Sequence, residues 1–295
     1  MNLTKMYSTI DTHVDGEAFR IVTHSPIGLT STNIVENQNK LNQSFTQVKE
    51  ILLNEPRGHR GMNGCLTLPS NHSDFGLLFF THNGSATFKI GALIATTVSL
   101  IETGNLEVKP NGKYKIETYL GVYQLEVEFN RGTVLRVLIE NKDTEKLVQD
   151  NWVVIDGGRR YRIFSLPEEI PAIEMDYLTT LKRWGKDKVN ELNLNHEKYD
   201  GIILVENKNL DEYRTMTFEN DGHILRSPGI DSTMALLIQK DLLNITNYNI
   251  FGNSISAKKQ HNSLEIELKN KVFITSVSEF VLDEDDPLRN GFIIK

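Results

Sequence analysis

One cysteine and a few widely spaced histidines bound the chemistry open to this chain. Cys65 is the only cysteine, which excludes an intramolecular disulfide, a cysteine metal cluster and any mechanism that pairs two thiols. It lies in Met62-Asn63-Gly64-Cys65-Leu66-Thr67-Leu68, an alternating apolar run that predicts a strand with a buried structural thiol. His13, His59 and His82 stand too far apart in sequence to form a recognisable zinc motif. A phosphate-binding loop, a GxGxxG turn after a strand, a nucleophile elbow and HExxH are all missing from the sequence, so no nucleotide, flavin or metal cofactor is expected. What remains is acid-base chemistry by ordinary side chains. Two apolar segments open predicted helices, Phe88-Lys89-Ile90-Gly91-Ala92 and Gly229-Ile230-Asp231-Ser232-Thr233-Met234-Ala235. In the second, Asp231-Ser232 also suits a helix N-cap.

The elements that position these residues follow from hydrophobic periodicity. A helix is predicted over 90–102, carrying Leu93, Ile94, Ala95, Val98 and Ile101 and stopping at Gly104. A second is predicted over 232–243. Both are apolar over much of their circumference and are expected to sit inside their domains. Strands are expected around Cys65 and over 75–80, 153–164, 202–206 and 213–218, with an amphipathic region over 41–53 and a charged helical region over 172–192. Residues 113–130 and 133–139 alternate as strands joined by a turn at Asn130-Arg131-Gly132.

The chain contains an internal echo. Asp15 to Val22 recurs in altered form as Asp156 to Phe164, with Arg20 and Arg162 separated by 162 − 20 = 142 residues. Gly91 and Asp231, in the two apolar helices, lie 231 − 91 = 140 residues apart. Two pairings at nearly one offset suggest two copies of one unit.

Composition narrows the partners. With 39% hydrophobic and 24% charged residues, the 295-residue chain has an ordinary globular make-up and enough length for two domains. A net charge of −7 argues against nucleic acid or an anionic membrane as the main partner. No apolar run approaches the ~18 residues of a membrane span, and the N-terminal residues lack a signal-peptide pattern. A cytoplasmic location is the expectation.

Several segments carry a family resemblance: Asp11-Thr12-His13 with Gly16-Glu17 and Arg20, Glu55-Pro56-Arg57-Gly58-His59, His82-Asn83-Gly84, Ile101-Glu102-Thr103-Gly104, Leu225 to Ala235, and Asp285-Asp286-Pro287-Leu288-Arg289 with Gly291-Phe292. In this order they resemble the proline racemase family, which includes 4-hydroxyproline epimerases and trans-3-hydroxyproline dehydratases. The resemblance covers nearly the whole chain. It implies an α/β (α+β) fold of two pseudo-symmetric domains of the diaminopimelate epimerase-like type, each wrapping strands around a central helix. The domains would comprise residues 1–120 plus 272–295 and residues 121–271, with the active site in the cleft where the helix N-termini face each other.

In the family, two cysteines exchange the α-proton of an amino acid. The resemblance puts Lys89 at the first cysteine, Gly91 at a histidine, Leu225 at the substrate-binding aspartate, Gly229 at the second cysteine, Ile230 at a glycine and Asp231 at a threonine. The two-cysteine mechanism is therefore unavailable. Leu225 cannot pair with a substrate ammonium, and Ile90 and Ile230 add branched bulk where glycine allows close approach. One implied reading is a one-base isomerase or dehydratase acting at the α-carbon of a small amino or imino acid such as proline or hydroxyproline. Lys89 is its base, since a lysine in a partly apolar cleft can have its pKa lowered, and Asp231 orients Lys89 or binds the amine. Ile90, Gly91, Ile230, Ser232 and His223 would surround the substrate, with His223 compensating for Leu225. The other is a catalytically inactive binding or regulatory protein that holds an amino-acid-like carboxylate, with Lys89 and Asp231 closing an abandoned site as a salt bridge. His13, Glu17, His59 and His82 would line the cleft or act as hydrogen-bonding struts, and Gly157-Gly158 would approach a ligand or simply turn a strand. A homodimer is a possible assembly.

Overall fold

The computed structural model describes residues 3–82, 87–130, 133–140, 151–155, 157–260, 263–268 and 272–293. In chain order the elements are β1 (Leu3–Val14), β2 (Glu17–His24), α1 (Ile34–Ser44), α2 (Thr46–Leu53), β3 (Met62–Leu68), β4 (Phe75–Phe80), α3 (Ile90–Glu102), β5 (Lys113–Thr118), β6 (Gly121–Asn130) and β7 (Thr133–Glu140). They continue with β8 (Trp152–Val154), β9 (Arg160–Ser165), α4 (Leu178–Leu194), β10 (Gly201–Asn207), β11 (Glu212–Glu219), α5 (Ile230–Gln239), β12 (Asn244–Tyr248), β13 (Ser254–Lys259), β14 (Ser263–Leu268) and β15 (Val272–Asp283). Two compact units result. One comprises Met1–Val14, Ala18–Val127 and Val272–Lys295; the other comprises Asp15–Glu17 and Glu128–Lys271.

The first unit orders its strands β15-β1-β2-β3-β4-β5-β6. β2 and β3 run parallel, β3 and β4 antiparallel, β4 and β5 parallel, and β5 and β6 antiparallel. The second unit orders its strands β7-β14-β13-β12-β11-β10-β9-β8. There the same alternation recurs, parallel for β9 and β10, antiparallel for β10 and β11, parallel for β11 and β12, and antiparallel for β12 and β13. A parallel pair needs a long crossover, and helices fill it in both copies. α1 and α2 link β2 to β3 as α4 links β9 to β10, while α3 links β4 to β5 as α5 links β11 to β12. The internal echo is thus a repeated architecture.

Strand alternation divides each sheet between two helical layers. In the first unit Leu66 pairs with Leu78, and both join Leu41, Ile51 and Leu52 in a core under α1 and α2. Cys65 and Phe79 form the next pair, on the opposite face. In the second unit Ile202 pairs with Phe218 and Leu204 with Met216, packing with Leu181, Val189 and Leu192 of α4. Ile203 and Thr217 form the intervening pair, on the α5 side.

α3 is buried from Ile90 through Ile101, and α5 from Ile230 through Leu237. Apolar side chains all round a helix demand such enclosure. Both end in the same way. After α3, Gly104 at φ 73° donates to Ile101 O and Asn105 donates to Leu100 O. After α5, Asp241 at φ 53° donates to Ile238 O and Leu242 to Leu237 O. These paired bonds cap the last carbonyls.

Three expectations need correction. α5 ends at Gln239 rather than at residue 243, because Asp241 takes the left-handed turn that sequence reasoning reserves for glycine. The alternating run 113–130 is two strands, broken at Tyr119-Leu120 into an antiparallel hairpin. The amphipathic region begins earlier, at Ile34, and forms two helices. Residues 83, 84, 131, 132 and 156, on which parts of three motif and turn assignments fall, lie outside the described residues. Among the described residues no helix is long and apolar enough to cross a membrane.

Candidate functional site

Several motif residues of the first unit turn out to be struts. Arg20 of β2 grips Asp11 of β1 through both nitrogens of its fork, at 2.8 and 2.6 Å. It also donates to the carbonyls of Leu52 and Arg57 and lies 4.1 Å over the Phe280 ring. Arg57 in turn donates to Leu288 O at 2.9 Å and Arg289 O at 2.7 Å and pairs with Asp286 at 3.3 Å. Glu55 and Phe292 exchange backbone bonds. The opening motif, the EPRGH segment and the closing DDPLR segment therefore hold one another. His82 uses both ring nitrogens the same way, 2.9 Å from Asn54 Oδ1 and 3.1 Å from the His59 carbonyl. His13 stacks near Phe273, and burial pulls its pKa below the ordinary histidine value.

Lys89 is the N-cap residue of α3, in extended conformation at φ −138° and ψ 129°. Its carbonyl accepts the Ala92 N–H at 3.1 Å, and its side chain makes no capping bond. It is 6% exposed, an unusual degree of burial for lysine. Phe88 beside it is fixed by stacking on Tyr123, with centroids 4.8 Å apart. Ile90 and Gly91 open the helix, where N–H groups have no intrahelical acceptor.

The α5 start is built on a tightly tied loop. Gly229 is the N-cap residue at φ 77° and ψ 122°. Its N–H donates to Ser227 Oγ at 3.0 Å. Its carbonyl accepts from Thr233 N at 2.9 Å and Thr233 Oγ1 at 2.7 Å. Behind the loop, Asn247 of β12 donates to Pro228 O at 3.1 Å and Thr233 Oγ1 at 3.0 Å, and accepts from Thr215 at 2.9 Å. Asn249 donates to Arg226 O at 2.7 Å. The loop carbonyls are drawn back into the unit, as buried polar groups must be paired. Ile230, Asp231 and Ser232 form the first turn and are all buried. Ser232 Oγ lies 2.7 Å from Thr217 Oγ1.

Asp231 belongs to a charged network that the sequence reading did not single out. Arg159 donates to Asp231 Oδ2 at 2.7 Å and to Glu219 Oε2 at 2.9 Å, with Asp200 3.8 Å away. Its guanidinium lies 5.1 Å over the Tyr161 ring, and the Tyr161 hydroxyl is 3.5 Å from the same Asp231 oxygen. Burial works to lower the Arg159 pKa, but Tyr161, Glu219, Asp231 and Asp200 outweigh it and hold the group charged. Burial chiefly, with the neighbouring carboxylates, pushes the Tyr161 phenol well above its usual range. Arg159 follows two glycines and precedes Arg160 and Arg162. Those two lie over the Trp152 ring at 4.3 and 5.4 Å, and nothing in the spacing marks Arg159 as the buried one.

His223 sits in the turn after β11. Its N–H donates to Asp221 Oδ1 at 2.9 Å, its carbonyl accepts the Glu219 N–H at 2.7 Å, and its side chain is half-buried. Leu225, half-buried, donates its N–H to Thr217 O at 2.9 Å. Lys89, Ile90 and Gly91 thus belong to the first unit, while Ile230, Asp231, Ser232 and His223 belong to the second. Among the described residues no group of three or more His, Cys, Asp or Glu side chains is arranged to hold a metal ion.

A two-unit α/β fold with one enclosed helix per unit, α3 entered from buried Lys89 and α5 from Gly229, defines a structural class shared with known enzymes. The hydroxyproline epimerase of Agrobacterium vitis, solved with bound trans-4-hydroxy-L-proline, matches with a TM-score of 0.81 at 18% identity, covering 100% of this chain and 96% of that one. The trans-3-hydroxy-L-proline dehydratase of Bacillus thuringiensis subsp. konkukian is 29% identical over the full length of both chains. The proline racemase of Acetoanaerobium sticklandii is 26% identical over the same extent. The proline racemase family model matches residues 9–165. The chain belongs to the proline racemase family.

Proposed function

We propose that the protein removes the α-proton of a small imino acid such as proline or a hydroxyproline with a single base, Lys89, and so acts as an isomerase or dehydratase without paired thiols. First-turn N–H groups of the helices hold the substrate carboxylate, Asp231 receives its amine, and Ile90, Gly91, Ile230, Ser232 and His223 shape its surroundings. The observation that carries this reading is one-sidedness. Lys89 is a buried amine at the start of α3, whereas Gly229 at the start of α5 has no side chain.

One base suits elimination better than racemisation. Racemisation needs a proton donor on the opposite face, but dehydration of a 3-hydroxy imino acid does not. Lys89 takes the α-proton, the C–H electron pair forms the Cα=Cβ bond, and the C–O bond breaks as hydroxide leaves and takes a proton from the Lys89 ammonium, which gives water and returns Lys89 to its neutral form. Names borne by relatives support both reaction types, since a dehydratase and a racemase are similar over their full lengths.

A second reading, a binding or regulatory protein for amino-acid-like carboxylates, is supported by the commitment of Asp231 to Arg159. Deuterium incorporation at Cα, followed by NMR with proline, 4-hydroxyproline and trans-3-hydroxy-L-proline, separates the two. Exchange or water loss by the native protein, reduced at least ~100-fold in a folded Lys89→Ala variant, is expected. Binding measured by calorimetry without exchange favours the second reading, and undiminished exchange in Lys89→Ala removes Lys89 as the base. A homodimer is the assembly proposed with this reading, and light scattering tests it.

A further inference from the structure

Arg160 and Arg162 of β9 belong neither to the core nor to the network around Asp231. They alternate with buried Tyr161 and Ile163, so both stand with Phe164 on the strand face that packs against α4. Their guanidinium carbons lie 4.3 and 5.4 Å from the centroid of one ring, that of Trp152 on the edge strand β8. Arg162 also lies 5.3 Å from the Phe164 centroid, and Lys188 Nζ of α4 stands 5.9 Å from the same ring. Cations and aromatic rings thus alternate along the margin of β8, β9 and α4. A single guanidinium serves to cover an indole, whereas two on one ring repel each other. Among the described residues no carboxylate forms an ion pair with either guanidinium to offset that repulsion. Arg160 donates only to the Lys198 carbonyl, at 3.4 Å, while Asp200 takes its backbone N–H and faces Arg159. Glu191, the acid that Arg162 acts on, is bonded to Lys188 at 2.7 Å.

We infer that Arg160 and Arg162 form a clamp that binds the phosphate group of a small soluble molecule. A guanidinium held over a ring has already given up rotamer freedom, so its fork grips an anion at a lower entropic cost. A carboxylate satisfies one fork. Two forks, no further apart than their two centroid distances laid end to end, suit a group with three terminal oxygens and nearly two negative charges. Trp152 is 7% exposed and its ring is occupied by the arginines, so a nucleobase or other aromatic ligand has no face to stack on. The phosphate is therefore the recognised part. None of these residues takes part in the reaction proposed for Lys89. Trp152 and Trp184 are the only tryptophans of the chain, and Trp184 meets Phe164 edge-on at 5.6 Å, so intrinsic fluorescence reports on this margin alone.

Titration with inorganic phosphate at constant ionic strength, followed by tryptophan fluorescence and repeated by calorimetry, tests the clamp. The native protein is expected to saturate with a Kd on the order of 1 mM or tighter and to bind acetate at least ~10-fold more weakly. Arg160→Gln and Arg162→Gln are each expected to weaken phosphate binding at least ~10-fold, and Arg162→Lys, which keeps the charge without the fork, about 3-fold to 10-fold. Lys186→Gln removes an equal charge from an exposed position of α4 and is expected to change the affinity less than ~2-fold. Melting curves identify the folded variants, and Arg162→Lys carries the test if the glutamine variants do not fold. A signal that follows ionic strength whatever the anion, or an equal loss in Lys186→Gln, reduces the margin to a diffuse basic patch and overturns the inference. Phosphate affinity unchanged in the arginine variants overturns it as well. Phosphatidic acid vesicles are expected not to capture a chain of net charge −7. Capture that free phosphate does not displace overturns the assignment to a soluble ligand. Each of these outcomes leaves the proposed reaction standing, because deuterium exchange tests that separately.

Discussion

At the scale of single residues, Gly229 shows how far a backbone can be committed to the absence of a side chain. Its φ of 77° lies where L residues are strained, and an added Cβ would stand 2.9 Å from Ser232 Oγ. Ser232 has little room to yield, because Thr217 holds its hydroxyl at 2.7 Å. Gly229→Ala and Gly229→Cys are both expected to cost about 1–3 kcal/mol in urea unfolding. The loss should be nearly equal, since Cβ rather than the thiol causes it; a neutral Gly229→Cys would show that the turn accepts a side chain. His13 yields a prediction with a pH sign. Burial lowers its folded pKa below the unfolded value of 6.5, so the unfolded chain takes up the proton first. The contribution to stability is full above pH 6.5 and falls as acid carries the pH down through the folded pKa. Thermal melts between pH 8 and 5 should show this decline in the native protein and less of it in His13→Gln.

Elements extend the argument from positions to supports. Asn247 ties β12 and β11 to the loop before α5 through three bonds of 2.9 to 3.1 Å. Asn247→Ala leaves the Pro228 carbonyl and the Thr215 hydroxyl without this partner in a buried setting, at a cost on the order of 1–3 kcal/mol. Amide hydrogen exchange should show the first turn of α5 losing protection before the rest of the helix; uniform loss would mean that Asn247 supports the whole unit instead. Such supports were the part of the site hardest to read in the sequence. The boundaries of α3 were legible because twelve consecutive buried positions run from Ile90 to a glycine stop. The start of α5 was expected two residues late, at residue 232 rather than Ile230, and Lys89 and Asp231 were marked by the family resemblance rather than by periodicity. Arg159 and Asn247 were not, because burial of a polar residue depends on partners 72 and 14–32 residues away, and local periodicity carries no record of them. The end of α5 escaped because an aspartate performs the turn usually given to glycine.

For the molecule as a whole, the first unit joins segments far apart in sequence, β1 and β15. β15 supplies the edge partner of β1 along nearly its full length, from Leu3 with Asp283 to Val14 with Val272. Arg57 reaches Asp286, Leu288 and Arg289 beyond it. Removal of residues 272–295 should abolish the cooperative melting of the first unit, because Tyr7, Leu282 and the α1–α2 core share one cluster. Calorimetry of that truncated chain should retain one transition, from the second unit; two surviving transitions would show that β15 is dispensable. The same layout bears on synthesis from the N-terminus. All residues of the second unit precede β15, so that unit is complete while the first, though begun earlier, still lacks an edge strand. The later unit is therefore expected to finish folding first. Until residues 272–283 emerge, a nascent chain carries β1 without its β15 partner, and chaperone demand should fall on the half that was made first.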